Sequence, residues 1–232
     1  MCFHNSMSKR GHQLASRYSR KSDITEIYQD ILSEQYHVNA FNFPKCPIIT
    51  KSDEIQVFDW GLIPSWVKNK SEAEFIRKRT LNTRGDRIFG TPFFEESAMK
   101  KRCIMPSTGY FEWGREGSTK VPYYIYLKNE PIFSMAGIYN CWIDRNTGEG
   151  RFTFAIITTE SNSLGGQIRK ITPRMPVILQ KEKEEYWLDP CLSKEDVCSL
   201  LVPYEANKMD AYQVNSDFMK KKPTDPSIIE RV

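Results

Sequence analysis

Seven short runs rich in β-branched and aromatic residues constrain the fold of this chain more than any other sequence feature. Gly, Pro, Asn or Asp residues bound these runs, which is typical of strands that end in turns. The runs are unevenly spaced and do not alternate with helices, so they predict an antiparallel or mixed sheet instead of repeated βα units. We expect an α+β fold whose strand-rich sheet curls into a barrel-like shape with short flanking helices. The predicted strands are residues 55–60, 102–106, 110–113, 123–127, 132–139, 152–159 and 175–179.

Four segments have the composition or the periodicity of helices. In residues 23–35 the apolar side chains share one helical face behind Ser22 or Asp23, and either residue is a suitable N-cap. The other predicted helices are residues 71–79, 181–189 and 193–201. No repeat, low-complexity tract or Gly/Ser linker interrupts these elements, so we expect a single domain over residues 1–232.

The composition favours a protein that folds on its own. Of the 232 residues, 40% are hydrophobic, which is enough for a substantial core. No apolar run approaches the roughly 18 residues that a membrane span requires, and the polar start of the chain lacks the apolar centre of a signal peptide. We expect a cytoplasmic protein. Its six cysteines include no CxxC pair and accompany only three histidines, so we expect reduced thiols and no metal site.

Basic residues are grouped in three segments, although the net charge is only +4. Residues 1–22 contain five Lys or Arg and no acid. Each segment alone fits a solvated face. Together with the aromatic residues between them, they favour a groove that binds phosphates. The second and third segments are Arg77, Lys78, Arg79, Arg84 and Arg87, and Lys100, Lys101 and Arg102.

Cys2 carries the most distinctive chemistry, because methionine aminopeptidases remove Met1 when the next residue is small. A free α-amine and a thiol would then lie on one residue. The amine can form an imine with an aldehyde, and the thiol can close onto the imine carbon to give a thiazolidine. An α-amine, with a pKa of about 7.7–8.0, is partly neutral at physiological pH and needs little activation as a nucleophile.

Two further segments place polar side chains where a substrate could be held. Asn82 can hold a sugar or a carbonyl oxygen, and Arg84 can clamp a phosphate with its two-pronged guanidinium. A capped turn with a surface arginine is the alternative for these two residues. Glu112 lies between aromatic residues, where an apolar wall favours the protonated carboxyl of a general acid. Simple alternation would instead turn this glutamate outward.

Arg174 and two tryptophans complete the candidate residues. Arg174 precedes a buried-looking strand and either contacts a phosphate or closes a turn. Trp60 and Trp66 flank a Gly and a Pro, and their flat rings can stack on bases. Tryptophans are more often core residues, so these two support the other candidates without defining a site.

These segments resemble, in their order and approximate spacing, the signatures of the SRAP family, the SOS-response-associated peptidase-like proteins that shield abasic sites. Each signature is weak alone, but their ordered occurrence along nearly the whole chain is highly specific. The matching segments are Met1-Cys2, 60–66, 82–84, 109–113, 136–139 and 172–176.

The resemblance implies an abasic-site sensor or shield that cross-links through Cys2 to the ring-opened deoxyribose in single-stranded DNA. By this resemblance Asn82 positions the amine and the sugar, Arg84 and Arg174 bind phosphates, and Glu112 acts as acid and base. Some members also excise their own N-terminal residue or reverse the cross-link in a lyase-like step. No cofactor, metal or membrane is implied, and we expect a monomer that joins the nucleoid when it binds DNA.

Two departures from the family pattern concern residues near the reaction. The histidine that precedes Arg-Met-Pro in the family is replaced by Thr172, or by Arg169 if the loop carries an extension. Neither side chain exchanges a proton near neutral pH as imidazole does. His4 replaces an arginine of the family and either supplies a proton near Cys2 or makes a polar contact near the DNA.

Two other classes of function use the same residues. An N-terminal-nucleophile thiol peptidase would also need a processed Cys2, but it would leave the basic and tryptophan segments unexplained. A non-catalytic module for single-stranded nucleic acid would use those segments and make Cys2 incidental. A Cys2→Ala variant separates the classes, because a pure binder forms no covalent adduct with or without the cysteine.

Overall fold

The computed structural model of the chain describes residues 3–21, 30–168 and 174–232. The strands are β1 (His4–Met7), β2 (Gln35–Asn39), β3 (Lys45–Ile48), β4 (Gln56–Trp60), β5 (Asn82–Arg84), β6 (Arg102–Ser107), β7 (Gly109–Glu116), β8 (Thr119–Leu127), β9 (Phe133–Ile143), β10 (Gly150–Glu160), β11 (Arg174–Pro176), β12 (Ile178–Leu179) and β13 (Met209–Gln213). The α-helices are α1 (Gly11–Tyr18), α2 (Lys70–Arg77), α3 (Glu95–Lys100), α4 (Ser163–Ile168), α5 (Glu184–Trp187) and α6 (Lys194–Leu200).

The strands form two sheets. The smaller sheet has five antiparallel strands in the order β13-β8-β7-β1-β2. The larger sheet has eight strands, with the path β12-β9-β10-β4-β3. β5 and β11 also pair with β10, and β6 also pairs with β9. This sheet is mixed, because β4 and β5 run parallel to β10 while β9 and β11 run antiparallel to it.

The α+β class is confirmed, but the barrel-like shape is wrong, since neither sheet of the described residues closes on itself. β3 and β6 of the larger sheet come close to each other at an isolated β-bridge just beyond β3. There Ile49 and Ile104 exchange backbone hydrogen bonds of 2.9 and 2.8 Å. A barrel needs a continuous staggered ladder at every edge, and one bridge does not supply it.

The predicted strands all coincide with observed ones, and three of the predicted helices are also present. Residues 71–79 correspond to α2, whose N-cap Asn69 accepts from the amide of Glu72 at 2.9 Å. Residues 181–189 begin with a short 3₁₀ turn and continue as α5, and residues 193–201 contain α6. Residues 22–29 of the remaining prediction lie outside the described residues. Residues 30–34 form a turn and Gln35 begins β2, so no helix reaches residue 35.

One core lies between the two sheets. Tyr110 and Ile125 of the smaller sheet pack there with Phe154 and Ile156 of the larger sheet. A second core covers the other face of the larger sheet, where helical side chains such as Leu14 and Trp187 pack on it. A third, mostly aromatic core lies on the outer face of the smaller sheet and includes Phe111, Tyr124 and Phe218.

No helix among the described residues is long and apolar enough to cross a membrane. The five cysteines of the described residues are free thiols, as predicted. Within residues 3–21, 30–168 and 174–232, no three His, Cys, Asp or Glu side chains form a group that could hold a metal ion.

Candidate active site

The N-terminal strand lies beside the strand that carries Glu112. β1 is paired with β7 in an antiparallel register that sets Asn5 opposite Tyr110. The carbonyl of Phe3 accepts from the amide of Ala40 at 2.8 Å. This bond ties the residue before β1 to the residue after β2, the other strand that pairs with β1. Continuing this register by two residues sets Phe3 opposite Glu112. Cys2 lies outside the described residues.

Glu112 faces the inside of the molecule. Its residue is only 2% exposed. Side chains alternate along a strand, so Glu112 shares the face of Tyr110, which belongs to the core between the sheets. Phe111 belongs instead to the outer aromatic core. Both faces of β7 are therefore buried here, and the outward-facing alternative for this glutamate is wrong.

Gly109 lets the strand β7 approach Tyr124 closely. A Cβ atom at this position would lie 2.2 Å from Cζ of Tyr124. The Tyr124 hydroxyl donates to the carbonyl of Thr108 at 2.9 Å. A side chain at position 109 would therefore clash with Tyr124, which explains the glycine at the start of β7, the strand that carries Glu112.

The strand β10 gathers the other polar candidates. β5 pairs with it in parallel, with Asn82 opposite Ile156 and Arg84 opposite Thr158. β11 pairs with it on the antiparallel side, with Arg174 opposite Glu160. Asn82 and Arg84, two residues apart on β5, therefore share one side of the strand.

Arg174 is held by Thr158. Its Nη2 donates to the Thr158 carbonyl at 2.6 Å and its Nε to Oγ1 at 3.2 Å. The Thr158 hydroxyl in turn donates to the carbonyl of Thr83 at 3.0 Å. Through this threonine the arginine of β11 is fixed against the Asn82-Thr83-Arg84 segment.

Asp86 links the two arginines. Arg84 binds it with two hydrogen bonds of 3.0 and 2.5 Å, and Arg174 Nη2 lies 3.5 Å from Oδ1. The hydrogen bond from Arg84 holds the pKa of Asp86 below its usual range. The Arg84 side chain is 44% exposed and the Arg174 side chain 12%. A cavity of about 250 Å³ opens beside Asp86 and Arg174. An incoming anion can therefore reach Arg84 most readily and must compete with Asp86.

Three of the candidate residues adjoin residues of one core. Leu81 precedes Asn82, Met175 follows Arg174 and Tyr110 lies two residues before Glu112, and all three belong to the core between the sheets. Thr172 and Arg169 lie outside the described residues. They fall between Ile168, whose carbonyl would lie 2.8 Å from a Cβ atom at Gly114, and Arg174, which begins β11.

Trp60 is a core residue, and this placement does not fit a role in base stacking. It is 1% exposed, its ring stacks on Phe154, and its Nε1 donates to the Leu81 carbonyl at 2.8 Å. That bond holds the residue just before Asn82. Gly61 follows with φ +107, and a Cβ atom there would lie 2.5 Å from Cγ of Arg77. The Trp60-Gly61 pair thus supports β5 from within the core.

Trp66 is accessible, in contrast to Trp60. It is 45% exposed and lies against Phe93, itself 37% exposed, with ring centroids 5.6 Å apart. Exposed aromatic faces of this kind can stack on bases of a single strand. Phe93 was missed in the sequence because nothing near it in the chain marks it as a partner of Trp66.

His4 is buried, and it faces protein instead of a ligand. It is 8% exposed, and its Nδ1 lies 2.9 Å from Nε2 of the buried His37. Trp113 packs edge-on against the His4 ring at 4.8 Å. Burial lowers the pKa of both histidines to about 4, and for His4 the repulsion from His37 contributes to this value. His4 is therefore neutral near pH 7, and neither predicted role fits this placement.

Acidification should weaken the fold through these histidines. Each folded pKa lies below its unfolded value of 6.5, so between pH 6.5 and about 4 the unfolded chain binds more protons. The free energy of unfolding should fall over this range by about 3 kcal/mol for each histidine. Urea unfolding at several pH values should show a shallower loss for His37→Phe than for wild type. The exposed His12→Gln variant is the control, and an unchanged slope in His37→Phe would contradict this origin.

Three arginines of the basic segments are structural. Arg17 pairs with Glu184 at 2.6 Å and Arg77 with Asp59 at 3.2 Å, and both side chains are largely buried. Arg102 is 3% exposed and donates to the backbone carbonyls of Ala98, Met99 and Trp187. These three arginines are therefore committed to internal partners, whereas Arg84 of the second segment lies at the surface beside Arg174. Asp86 and Thr158, which organise that group, carried no sequence signal.

The chain belongs to the SRAP family, whose model, described as SOS response associated peptidase (SRAP), matches residues 1–221.

Particular relatives share this similarity. The abasic site processing protein YoqW of Bacillus subtilis is 37% identical over 225 residues, which cover 92% of this chain and 96% of YoqW. The abasic site processing protein HMCES of Xenopus tropicalis is 32% identical over 166 residues, which cover 63% of this chain and 48% of HMCES. A crystal structure of a protein from Bacteroides thetaiotaomicron matches with a TM-score of 0.97 at 61% identity and covers 100% of both chains.

Proposed function

We propose that this chain forms a covalent cross-link, through Cys2, with abasic sites in single-stranded DNA. The observation that carries the proposal is the pairing of β1 with β7, which brings the start of the chain beside the strand of the buried Glu112. The names of YoqW and HMCES support the choice of abasic sites as the substrate.

The reaction begins once Met1 has been removed. The α-amine of Cys2 adds to the C1′ aldehyde of the ring-opened deoxyribose, and loss of water gives an imine. The Cys2 thiol then adds to the imine carbon while its proton passes to the nitrogen, which closes a five-membered thiazolidine. No oxidant or reductant is needed, because the imine step releases one water and the thiol adds its sulfur and its proton across the C=N bond.

Glu112 supplies the acid and base of this sequence. Its carboxyl can protonate the ring oxygen of the closed sugar and so release the aldehyde. It can then accept the proton that the amine loses on addition. Its burial supports this role, since a carboxyl shielded from bulk water transfers its proton to a bound group instead of to solvent.

The β5 and β11 residues hold the strand in place. Asn82 positions the sugar and the amine, while Arg84 and Arg174 bind phosphates on either side of the lesion. Asp86 occupies the arginines before DNA arrives and exchanges with the phosphate oxygens. Trp66 and Phe93 provide an aromatic surface for unpaired bases, which favours single-stranded over duplex DNA. We propose that the protein acts as a monomer.

Removal of either arginine should weaken binding in a salt-dependent way. Each phosphate contact contributes about 0.7 to the slope of log binding constant against log salt for a single strand. Arg84→Ala and Arg174→Ala should each reduce this slope by about that amount, measured by fluorescence anisotropy with a labelled oligonucleotide. Arg145→Ala changes an exposed arginine remote from the site and serves as the control. Slopes equal to wild type in both site variants would remove these arginines from the DNA contact.

The absence of the family histidine should slow formation or reversal of the cross-link. Thr172 cannot exchange a proton near neutral pH, so the Thr172→His variant should form or reverse the cross-link faster than wild type. Single-turnover time courses with abasic single-stranded DNA measure this difference. Equal rates for the two proteins would show that the missing imidazole imposes no handicap.

A second candidate activity is removal of Met1 by the chain itself. The description of the family as a peptidase favours it, and the Cys2 thiol is the nucleophile nearest to that peptide bond. Expression of wild type and Cys2→Ala in a host whose methionine aminopeptidase is inhibited tests it. Self-processing predicts loss of Met1 from wild type alone, whereas retention of Met1 in both proteins would exclude it.

The proposed function is tested with processed protein and three oligonucleotides. One carries a natural abasic site, one carries a tetrahydrofuran analogue without an aldehyde, and one carries the abasic site in a duplex. An adduct that survives a denaturing gel should form with the first, be absent with the second and be reduced with the third. Binding without any adduct would favour the non-catalytic module instead.

A further inference from the structure

A cavity of about 430 Å³ lies beside the N-terminal strand and has no role in the reaction described above. Its walls are formed by Asn5 of β1, Val38 of β2, Cys46 of β3 and Met105 of β6. It therefore lies where the edge of the smaller sheet meets the larger sheet. Its volume falls within the range of small-molecule sites.

Asn5 presents a buried donor at this cavity. The residue is 1% exposed, and its Oδ1 accepts from Oγ of Ser107 at 2.7 Å. Its Nδ2 has no hydrogen-bond partner among the described residues. Buried polar atoms are nearly always paired in native proteins. This amide therefore points to a ligand that carries a hydrogen-bond acceptor.

The apolar part of the walls favours an uncharged group. Val38, Pro44, Met105 and Pro106 contribute apolar surface, where a charged group would lose its hydration without compensation. The deepest part of a suitable ligand is therefore uncharged and bears a carbonyl or ring-nitrogen acceptor. A nucleobase has these properties.

Charged residues also line the cavity. They are the rim lysines Lys45 and Lys221 and the acidic Asp30. Lys45 pairs with Asp59 at 3.1 Å, and Lys221 belongs to the run Lys220-Lys221-Lys222. Lys221 Nζ is hydrogen-bonded to Ser227 Oγ at 2.8 Å, which keeps its charge near the surface of the protein. A base in the cavity would thus place its phosphate close to positive charge.

We propose that this cavity is a nucleobase-binding subsite, in which Asn5 Nδ2 donates to the base and the lysines of the rim face its phosphate. The base comes either from the DNA strand captured at Cys2, in which case the subsite rests on the proposed function, or from a free nucleotide. Asn5 is three residues from Cys2, and an extended chain of that length spans at most about 11 Å. A base close to the abasic sugar in the strand is therefore within reach.

Photo-cross-linking tests the subsite without requiring covalent capture. Single-stranded oligonucleotides carry the tetrahydrofuran analogue and one 5-iododeoxyuridine at successive positions on each side of it. Free 5-iododeoxyuridine monophosphate forms a separate arm. After irradiation we expect adducts in tryptic peptides that contain Val38, Cys46 or Met105. Labelling from one position beside the lesion identifies the strand as the source, whereas labelling by the monophosphate alone identifies a free nucleotide.

Variants make the result specific. Asn5→Ala should lower the yield of these adducts at least several-fold, and Val38→Trp, which fills the cavity from the sheet edge, should nearly abolish them. Val202→Trp places the same bulk at a residue that is 55% exposed and should label like wild type. Absence of wall adducts in both arms would overturn the subsite, as would equal labelling of Val38→Trp and wild type. Cross-linking of a natural abasic site is measured in parallel, so failure of capture is recognised separately.

Discussion

Replacement of Cys2 by serine is expected to abolish the adduct that survives denaturation, while leaving noncovalent binding of DNA intact. The variant keeps its α-amine, so it can still form the imine. It lacks the thiol that closes the thiazolidine, and the imine hydrolyses when the protein unfolds. Borohydride added during the reaction should therefore trap Cys2→Ser on DNA, although no adduct is seen without it.

The other cysteines provide matched controls for this variant. Cys46 and Cys103 are buried, and burial raises the pKa of both thiols, so neither supplies a thiolate at neutral pH. Cys191 and Cys198 are exposed. Cys191→Ser and Cys198→Ser should cross-link at the wild-type rate. A stable adduct in processed Cys2→Ser, measured on the same denaturing gel, would contradict the thiazolidine.

Glu112→Gln should have the next largest effect, a loss of about 100-fold or more in the rate of cross-link formation. Glutamine has nearly the same shape as glutamate but cannot exchange a proton, so the fold and the DNA contacts should be preserved. Single-turnover rates measured at several pH values separate the two roles. The variant should lose the pH dependence that the carboxyl contributes, while its dissociation constant for tetrahydrofuran DNA stays unchanged.

Glu116→Gln is the control, since Glu116 lies at the exposed end of the same strand. It should react like wild type. If Glu112→Gln cross-links at the wild-type rate and with the same pH dependence, the carboxyl is a structural group and the proton transfers must be assigned elsewhere. Thermal unfolding of both variants is measured in parallel, so that a loss of rate caused by lower stability of Glu112→Gln is recognised.

The sequence predicts the long apolar strands well and the short polar ones poorly. The runs that became β9 and β10 hold many apolar side chains that face two cores, and this burial leaves a clear pattern. β1 reads HNSM and β5 reads NTR. Neither sequence alternates apolar and polar residues. Both segments are strands because their backbones pair with β7 and β10. These short strands nevertheless carry or adjoin the candidate site.

The direction of individual side chains and the partners of charged residues could not be predicted from the sequence either. Aromatic residues flank Glu112 on both sides, so alternation alone could not decide whether the carboxyl faces in or out. Arg77 and Arg102 look like surface charge in a basic segment, yet internal partners bury them. The role of Asp86 between Arg84 and Arg174 depends on the pairing of both β5 and β11 with β10. Long-range pairing, which a single sequence does not encode locally, decides all three cases.

The most direct test is the mass and position of the adduct. Processed protein reacted with an abasic single-stranded oligonucleotide should yield one species whose mass equals the sum of both molecules less one water. After digestion, the modification should lie on the N-terminal peptide that begins with Cys2, without a free thiol or a free α-amine on that residue. Attachment to a lysine, or a Cys2 that keeps either group free, would contradict capture by the N-terminal cysteine.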